Sequence, residues 1–502
     1  MQRAAPQKAA AVGQEDTGTD CIKQRANKQI LQVADTSEQG QKIQTPPAHR
    51  TAFTSGNAFA HMMQKQRERA QTWTFYLGRA DDGGLFWHFW RDVKGSRPLP
   101  DIITHCSGNP VSIQGTDQAT MQGCKQQVAW TAESQSSLAD LECHVDDSAD
   151  RAAAGKVTLK LCTNIEPRHG GRLDMGSLLW APGTAGRPWE YTGPASLLKS
   201  ALQKNVRRGR AEEAVRCAQR LLQSEPGELL RRAIVISVED AVLHPQLPLL
   251  VFLMAAVAKG YILGRTLASA CLRIMHDLAV VPVQDSSRAG EVGSSSCPGG
   301  QRAEPGALSE AGACLVRSML IRAAYGGLQG DVRMLRRSSC LWLARLSGLA
   351  NPPSSMSSHG SSVSSSQQWW HFLQSTCAGG KPTDVGVAWG SNGRLKPEDV
   401  PPAAVDFHIS SILEGLLSDA NILAAARVAA AKAGSEPAAA LKSAMWHFSG
   451  SCNHRSLLQE RSREDQEGHR QRLQHLQPLW EAAGHAAEAW AHLYIQARFR
   501  PA

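Results

Sequence analysis

The sequence lacks the motifs by which most enzymes are recognised. None of its 12 cysteines stands in a C-x-x-C pair, and neither a G-x-S-x-G nor an H-E-x-x-H motif is present. A P-loop needs G-x-x-x-x-G-K-[ST] to hold phosphates with backbone amides and a lysine. The nearest candidate, Gly379-Gly380-Lys381-Pro382, lacks the first glycine and the hydroxyl residue. We therefore favour a non-catalytic protein and predict no catalytic residues, metal or cofactor; a metalloenzyme or hydrolase built on the scattered histidines and cysteines is the alternative.

Long hydrophobic segments are also missing. The longest apolar run covers residues 247–258, which is shorter than the roughly 20 residues of a membrane-spanning helix. The N-terminus has no apolar segment of the secretory type, and the irregular spacing of the cysteines is typical of reduced thiols. These features predict an intracellular protein, nuclear or cytoplasmic, that does not bind a membrane. Arg3 and Lys8 precede the first acidic residue, Glu15, so an organellar protein remains an alternative.

Charge is sparse but unbalanced. Charged residues make up 20% of the chain, the net charge is +9, and the isoelectric point is near 9.0. A basic protein favours an anionic partner such as DNA or RNA. A slightly basic protein with no such partner is the alternative.

The clearest helical pattern lies between residues 196 and 282. Leu198, Leu202 and Val206 recur at every fourth position, as on the buried face of an amphipathic helix. Gly209 is placed to end this helix. A second helix is predicted over residues 211–223, and a third after Ser224-Glu225-Pro226, a capped restart. His244-Pro245 ends the third helix, and the apolar run 247–258 predicts a further helix that is buried on all sides.

Two motifs in this segment resemble a known family. The run SALQKNVRRG, followed by ELLRRAIVISVEDAVLHP, is similar to the C-terminal helical region of the MgsA/RarA-type replication-associated AAA+ ATPases. The resemblance implies a helical fold, a role in DNA replication or repair, and oligomer assembly. Val242 and Leu243 replace small residues of the family pattern, and no ATPase module accompanies the match, so ATP hydrolysis is not implied. The matching residues are Lys204, Arg208, Gly209, Arg231, Arg232, Glu239, Asp240 and Pro245.

The N-terminal part combines a polar segment with a small mixed domain. Residues 1–54 lack apolar periodicity, which predicts disorder. Residues 55–193 are predicted to form a small α+β domain around an aromatic β-hairpin, because Asp81-Asp82-Gly83-Gly84 separates two aromatic runs. Trp73 and Trp87 could form a stacking platform for single-stranded nucleic acid. A hairpin buried on both faces is the alternative. Further strands are expected over 127–131, 156–162 and 176–180.

Potential metal ligands are scattered rather than paired. Zinc ligands usually stand two to five residues apart, and these cysteines and histidines do not. We therefore predict buried thiols and core histidines; a metal site, or an acid/base set among the C-terminal histidines, is the alternative. The residues considered are His105, Cys106, Cys124, Cys143, His144, Cys162 and His169, with His408, His447 and His454 near the C-terminus.

Residues 194–502 are predicted to form a helical domain, which makes the whole chain a mainly helical α+β protein. Flexible insertions are expected at 284–307 and 351–368, where serine, glycine and proline accumulate. Helices are expected over 308–321 and 332–349, and then over 409–417, 422–433, 437–448, 455–474 and 479–498.

Two basic clusters support a nucleic-acid function. Lysine and arginine bind phosphates without reading sequence, although each cluster could instead be a solvated helix surface. The predicted contacts are Lys204, Arg207, Arg208 and Arg210 in the first cluster and Arg333, Arg336 and Arg337 in the second. We therefore predict a non-catalytic nucleic-acid-associated protein; the alternative is a scaffold that oligomerises or docks a protein partner.

The third helix also carries two charged pairs two turns apart, Arg231-Arg232 and Glu239-Asp240. They predict interhelical ion pairs that fix how the helices cross. A polar functional site at the helix end is the alternative.

Overall fold

The computed structural model describes residues 71–92, 128–136, 157–169, 189–285, 308–348, 364–377, 395–405, 410–448, 452–453, 455–458 and 463–501. Three of the predictions concern residues outside these ranges: the N-terminal disorder, the strand at 176–180 and seven of the proposed metal ligands. These seven are His105, Cys106, Cys124, Cys143, His144, His408 and His454.

A four-stranded mixed sheet forms the N-terminal part of the described structure. Its strands are β1 (Gln71–Arg79), β2 (Leu85–Asp92), β3 (Trp130–Ser136) and β4 (Val157–Thr163), in the order β2-β1-β4-β3. The predicted hairpin is confirmed: β1 and β2 pair antiparallel, and Gly83 in the turn has φ +86°, a value that glycine adopts without strain. The strand predicted at 127–131 lies farther along the chain, as β3.

The sheet packs on the helices through one shared hydrophobic core. The strand β1 pairs antiparallel with β2 and parallel with β4, and it is therefore a central strand. Phe75 of β1 meets Phe252 edge to face, with ring centroids 5.3 Å apart. Trp130 of β3 meets Tyr261 in the same way at 5.0 Å. The side of the sheet that carries Phe75 is thus covered by helices.

The predicted helices between residues 196 and 282 are confirmed. Gly209 has φ +68° and follows the first of them, as a C-terminal glycine should. Pro226 opens the third helix, but Ser224 does not cap it, because its hydroxyl donates to the Arg220 carbonyl oxygen at 3.0 Å. Every residue from Leu247 to Ala256 is buried. The helices are α1 (Ala195–Arg207), α2 (Ala211–Ser224), α3 (Pro226–Glu239), α4 (Leu247–Val257) and α5 (Arg265–Val280).

Seven further helices follow within the described residues. They are α6 (Glu310–Ala324), α7 (Gln329–Leu346), α8 (Ser365–Cys377), α9 (Ser410–Leu417), α10 (Ala420–Ala433), α11 (Pro437–Phe448) and α12 (Arg463–Gln496). Short 3₁₀ helices cover Pro397–Asp399 and Pro402–Ala404. The fold class is therefore mainly helical α+β, as the sequence predicts.

Three local predictions need correction. The two helices expected over 455–474 and 479–498 are one helix, α12, which contains Pro478. Pro478 is exposed, so water can solvate the carbonyl group that the missing N–H leaves unpaired. Residues 365–368, assigned to a polar insertion, form the first turn of α8. Gln284, assigned to the preceding insertion, belongs to a short strand.

Short strands and one arginine join distant parts of the chain. The strand β5 (Trp189–Tyr191) pairs with β8 (Phe499–Pro501), and β6 (Val283–Gln284) pairs with β7 (Ser456–Leu457). Beside β7, Arg455 donates to the carbonyl oxygens of Leu278 at 2.8 Å and Ala279 at 2.7 Å. It also donates to the Asp240 carbonyl oxygen at 3.2 Å and to that of Val206. One guanidinium therefore caps the C-terminal ends of α1, α3 and α5.

No helix among the described residues is both long and apolar enough to cross a membrane.

Candidate nucleic-acid interface

Arg207 does not lie on the surface with the rest of the first basic cluster. It is 8% exposed, and its Nε pairs with Asp240 Oδ1 while Nη2 lies 3.0 Å from Glu239 Oε1. Gln203 completes the group by donating to Asp240 Oδ2 at 2.7 Å. Because an ion pair inside the protein cannot reach a nucleic acid, Arg207 is removed from the candidate interface.

The same contacts explain the charged pairs of α3. Interhelical ion pairs are present, as predicted, but the cation is Arg207 of α1 rather than Arg231 or Arg232. Burial raises the pKa of Glu239, the adjacent Asp240 raises it further, and the charge of Arg207 acts against both. The Glu239-Asp240 pair thus fixes how α1 and α3 pack.

The remaining cations of this cluster stay near the surface. Arg208 and Arg210 are exposed and Lys204 is half-buried. Arg208 Nη2 donates to the Phe448 carbonyl oxygen at 3.3 Å. Partial burial lowers the pKa of Arg208, and the nearby charge of Arg210 lowers it further. Arg208 and Arg210 therefore form a pair of like charges that an anion would stabilise.

The second basic cluster lies on α7. Arg333, Arg336 and Arg337 are all exposed, and their spacing places them on one face of the helix. None of them forms an ion pair within the described part of the chain. Gln329 and Cys340, a turn before and a turn after on this face, carry no charge. The α7 face, defined as these three arginines, is a basic surface without a described acidic partner.

The aromatic hairpin does not offer the predicted stacking platform. Trp73 is 5% exposed and stacks on Phe89 with ring centroids 5.2 Å apart. The Arg317 guanidinium covers the Trp73 ring at 5.0 Å. Trp87 is half-buried and packs against the core. The alternative given by the sequence, a buried hairpin, is the correct one for Trp73, because α6 and the sheet close over it.

Buried titratable groups elsewhere are held by structural partners. Asp277 is 5% exposed; burial alone would raise its pKa, but hydrogen bonds from His244 and His276 and the charge of Arg273 lower it to about 2. The Arg345 guanidinium pairs with Asp285. It also lies over two tryptophan rings, at 4.6 Å from Trp342 and 4.3 Å from Trp369. Each of these two buried charges therefore has charged or hydrogen-bonding partners inside the protein.

The cysteines and histidines do not assemble a metal centre within the described ranges. No group of three potential ligands comes together there. Cys162 is buried, and burial raises the pKa of its thiol. His447 lies beside His469, with ring centroids 5.5 Å apart.

The sequence does not indicate the polar groups that gather where α3, α6 and α7 meet. Arg322 of α6 is 3% exposed, and its Nε lies 3.4 Å from the Arg231 carbonyl oxygen. Gly326 and Gly327, with φ +74° and +134°, connect α6 to α7 beside it. A Gly-Gly pair before a helical pattern is the signal that could have drawn attention to this turn.

Comparison with known proteins adds no relative. No family model matches this chain, no curated protein matches it, and no solved structure matches it. The resemblance to the MgsA/RarA-type helical region therefore stays a prediction.

Proposed function

We propose that this chain is a non-catalytic helical protein that binds DNA or RNA by its phosphate backbone. The observation that carries the proposal is the α7 face, which presents Arg333, Arg336 and Arg337 to solvent without a described acidic partner. Arg208 and Arg210 supply a second, smaller contact. A role in DNA replication or repair agrees with the family resemblance and belongs to the same proposal.

This mode of binding has a measurable signature. Arginines that contact phosphates release counterions, so the logarithm of the binding constant falls with the logarithm of salt by roughly 0.9 per contact on duplex DNA. Because phosphate contacts carry no sequence information, we expect similar affinities for unrelated duplexes of equal length.

The test uses fluorescence anisotropy with labelled duplex DNA, single-stranded DNA and RNA across a salt titration. Replacing the three arginines of the α7 face with alanine should reduce the salt slope by about 2.7, the sum of three contacts at about 0.9 each. The matched control replaces Arg427, Lys432 and Lys442 of α10 and α11, which are also exposed cations. It removes the same charge from another surface, and we expect a much smaller change.

Two results would contradict the proposal. One is the absence of binding by the unmodified protein at low salt. The other is an equal loss of binding in the α7 variant and the control, because this would mean that net charge alone attracts the nucleic acid.

The second candidate function is a scaffold that oligomerises or docks a protein. The apolar side chains of Val428 in α10 and Leu493 in α12 are 59% and 52% exposed, and an exposed apolar side chain is available for contact with a partner. Light scattering distinguishes the two functions: a monomer that binds nucleic acid supports the first, and an oligomer that does not bind it supports the second.

A further inference from the structure

Two aromatic rings and one guanidinium form a stack at the C-terminal end of α12. Trp490 and Tyr494 stand one turn apart, and their rings stack with centroids 5.5 Å apart and planes 19° from parallel. The Arg498 guanidinium lies over the Tyr494 ring, with Cζ 3.3 Å from the ring centroid. Because the three residues follow one another at intervals of one turn, Tyr494 lies between Trp490 and Arg498. All three side chains are half-buried, so solvent reaches the outer side of the stack.

The stack is open at its Trp490 end. A helical side chain leans towards the N-terminus over the preceding turn, and the residue there, Ala486, is exposed and carries only a methyl group. Apart from Tyr494, no ring or guanidinium in the described ranges lies on Trp490, and its indole N–H donates to no residue within them. The ring face of Trp490 that Tyr494 does not cover is therefore available to one more planar group.

The charges around the stack favour an anionic ligand. From residue 480 to its end, α12 carries two acids, Glu481 and Glu488. At about 100° per residue, they stand about 180° and about 160° around the helix from Trp490, which places both on its other side. The described contacts of the Arg498 guanidinium are with Tyr494 alone: the ring, and the carbonyl oxygen to which Nη1 donates at 2.7 Å. No acid among the described residues neutralises it.

Arg220 of α2 reaches the same end of the stack. It donates to the Tyr191 carbonyl oxygen at 2.9 Å, and the N–H of the next residue, Thr192, donates to the Arg498 carbonyl oxygen at 2.9 Å. Tyr191 also meets Phe499 with ring centroids 5.2 Å apart. Arg498 and Arg220 thus make this end basic, and such cations attract the phosphates that flank a stacked base.

We propose that Trp490, Tyr494 and Arg498 form a binding site for single-stranded DNA or RNA, in which a base stacks on Trp490 and a neighbouring phosphate meets Arg498. Proteins that bind single strands combine aromatic side chains, on which bases stack, with cations that follow the backbone. A duplex keeps its bases stacked on one another, so this site selects single strands. The inference goes beyond the α7 face and rests on the proposed function only in that the partner is a nucleic acid.

The probes are an oligothymidylate of about 12 nucleotides and an abasic oligomer of the same length, which has the same phosphates but no bases. In anisotropy titrations of the full chain, Trp490→Ala should weaken binding of the oligothymidylate by about tenfold, the effect of losing one base stack, and leave the abasic oligomer unaffected. Trp490→Phe, which keeps an aromatic face, should retain most of the affinity. The matched control, Trp370→Ala, removes a half-buried tryptophan from α8 and should bind both oligomers as the unmodified protein does. Circular dichroism checks that each variant is folded.

Salt dependence separates stacking from attraction by charge. A stacked base releases no counterions, so Trp490→Ala should keep the slope of the logarithm of the binding constant against the logarithm of salt. Arg498→Ala should reduce this slope by about 0.7, the value for one phosphate contact on a single strand.

The proposal is overturned if Trp490→Ala binds the oligothymidylate as tightly as the unmodified protein, or if it loses the same factor on the abasic oligomer. The result is distinguishable from a failure of the proposed function. If the three arginines of the α7 face can be replaced without loss of duplex binding, that contact fails, and a selective loss in Trp490→Ala would still support the stack. If the unmodified protein binds duplex DNA but neither oligomer, the single-strand site is refuted and the proposed function stands.

Discussion

The ion pair between Arg207 and Asp240 can be used to test whether Arg207 stabilises the fold or contacts a nucleic acid. Replacing Arg207 by methionine keeps much of the side-chain volume and removes the charge. Asp240, which is 1% exposed, would then be a buried carboxylate at the C-terminal end of α3. The negative end of the helix dipole makes that position unfavourable for an anion.

The structure sets the expected magnitude. Removing one partner of a buried pair costs about 3–5 kcal/mol, because the other charge is left uncompensated. The Glu239 side chain is 40% exposed, so its share of the loss is at most about 1 kcal/mol. We therefore expect Arg207→Met to lower the free energy of unfolding by about 3 kcal/mol or more.

Urea unfolding followed by circular dichroism measures this loss. Asp240→Leu should be destabilising in the same way, whereas the double variant should be more stable than the sum of the two single losses predicts, because it buries no unpaired charge. Binding of DNA, measured for the folded fraction, should keep its salt slope.

The reasoning would be refuted by the opposite pattern. If Arg207→Met unfolds at the same urea concentration as the unmodified protein and its salt slope falls by about 0.9, Arg207 contacts a phosphate. In that case the Arg207 side chain would have to leave its buried position beside Asp240.

Two further substitutions test buried charges. The pKa of Asp277 is lowered to about 2 in the folded protein, whereas the unfolded value is about 3.9. The ionised carboxylate therefore contributes about 2 kcal/mol to the free energy of unfolding at pH values above the unfolded pKa. This contribution is lost as the pH falls towards the folded pKa. Asp277→Asn should therefore flatten the fall in urea midpoint between about pH 4 and about pH 2, unlike Glu488→Gln at an exposed site; an unchanged acid dependence would contradict this. Arg455→Ala should cost about 3 kcal/mol or more in urea unfolding, because carbonyl groups at three helix ends lose a charged donor. A midpoint equal to that of Arg427→Ala would show that water replaces those hydrogen bonds.

Local patterns in the sequence predicted the elements that depend on local physics. The four-residue spacing of Leu198, Leu202 and Val206 specifies the buried face of α1, and Gly209 ends that region with a positive φ. The Asp-Gly turn between two aromatic runs specifies the hairpin. The uninterrupted apolar run specifies α4 as a helix surrounded by protein. Each signal is contained within a few turns or one hairpin.

The sequence did not predict which of the basic residues in the candidate interface are exposed and which are buried. A basic residue is exposed or buried according to what packs against it, and that partner is distant in sequence. Arg207 stands one residue after Val206, and the end of α3 brings Glu239 and Asp240 to it. Arg333, Arg336 and Arg337 have no such partner among the described residues and stay exposed. Periodicity alone does not distinguish the two cases.

The sequence by itself determined the helical and hairpin elements, the basic balance and the absence of recognisable catalytic motifs, because these follow from composition and from spacing along the chain. Only the tertiary structure decided which groups the charged side chains meet: Arg207 pairs with Glu239 and Asp240, and Arg455 donates to carbonyl groups at the ends of three helices. The free energy of a charge depends on the dielectric and the partners around it in three dimensions. The order of residues does not record those surroundings.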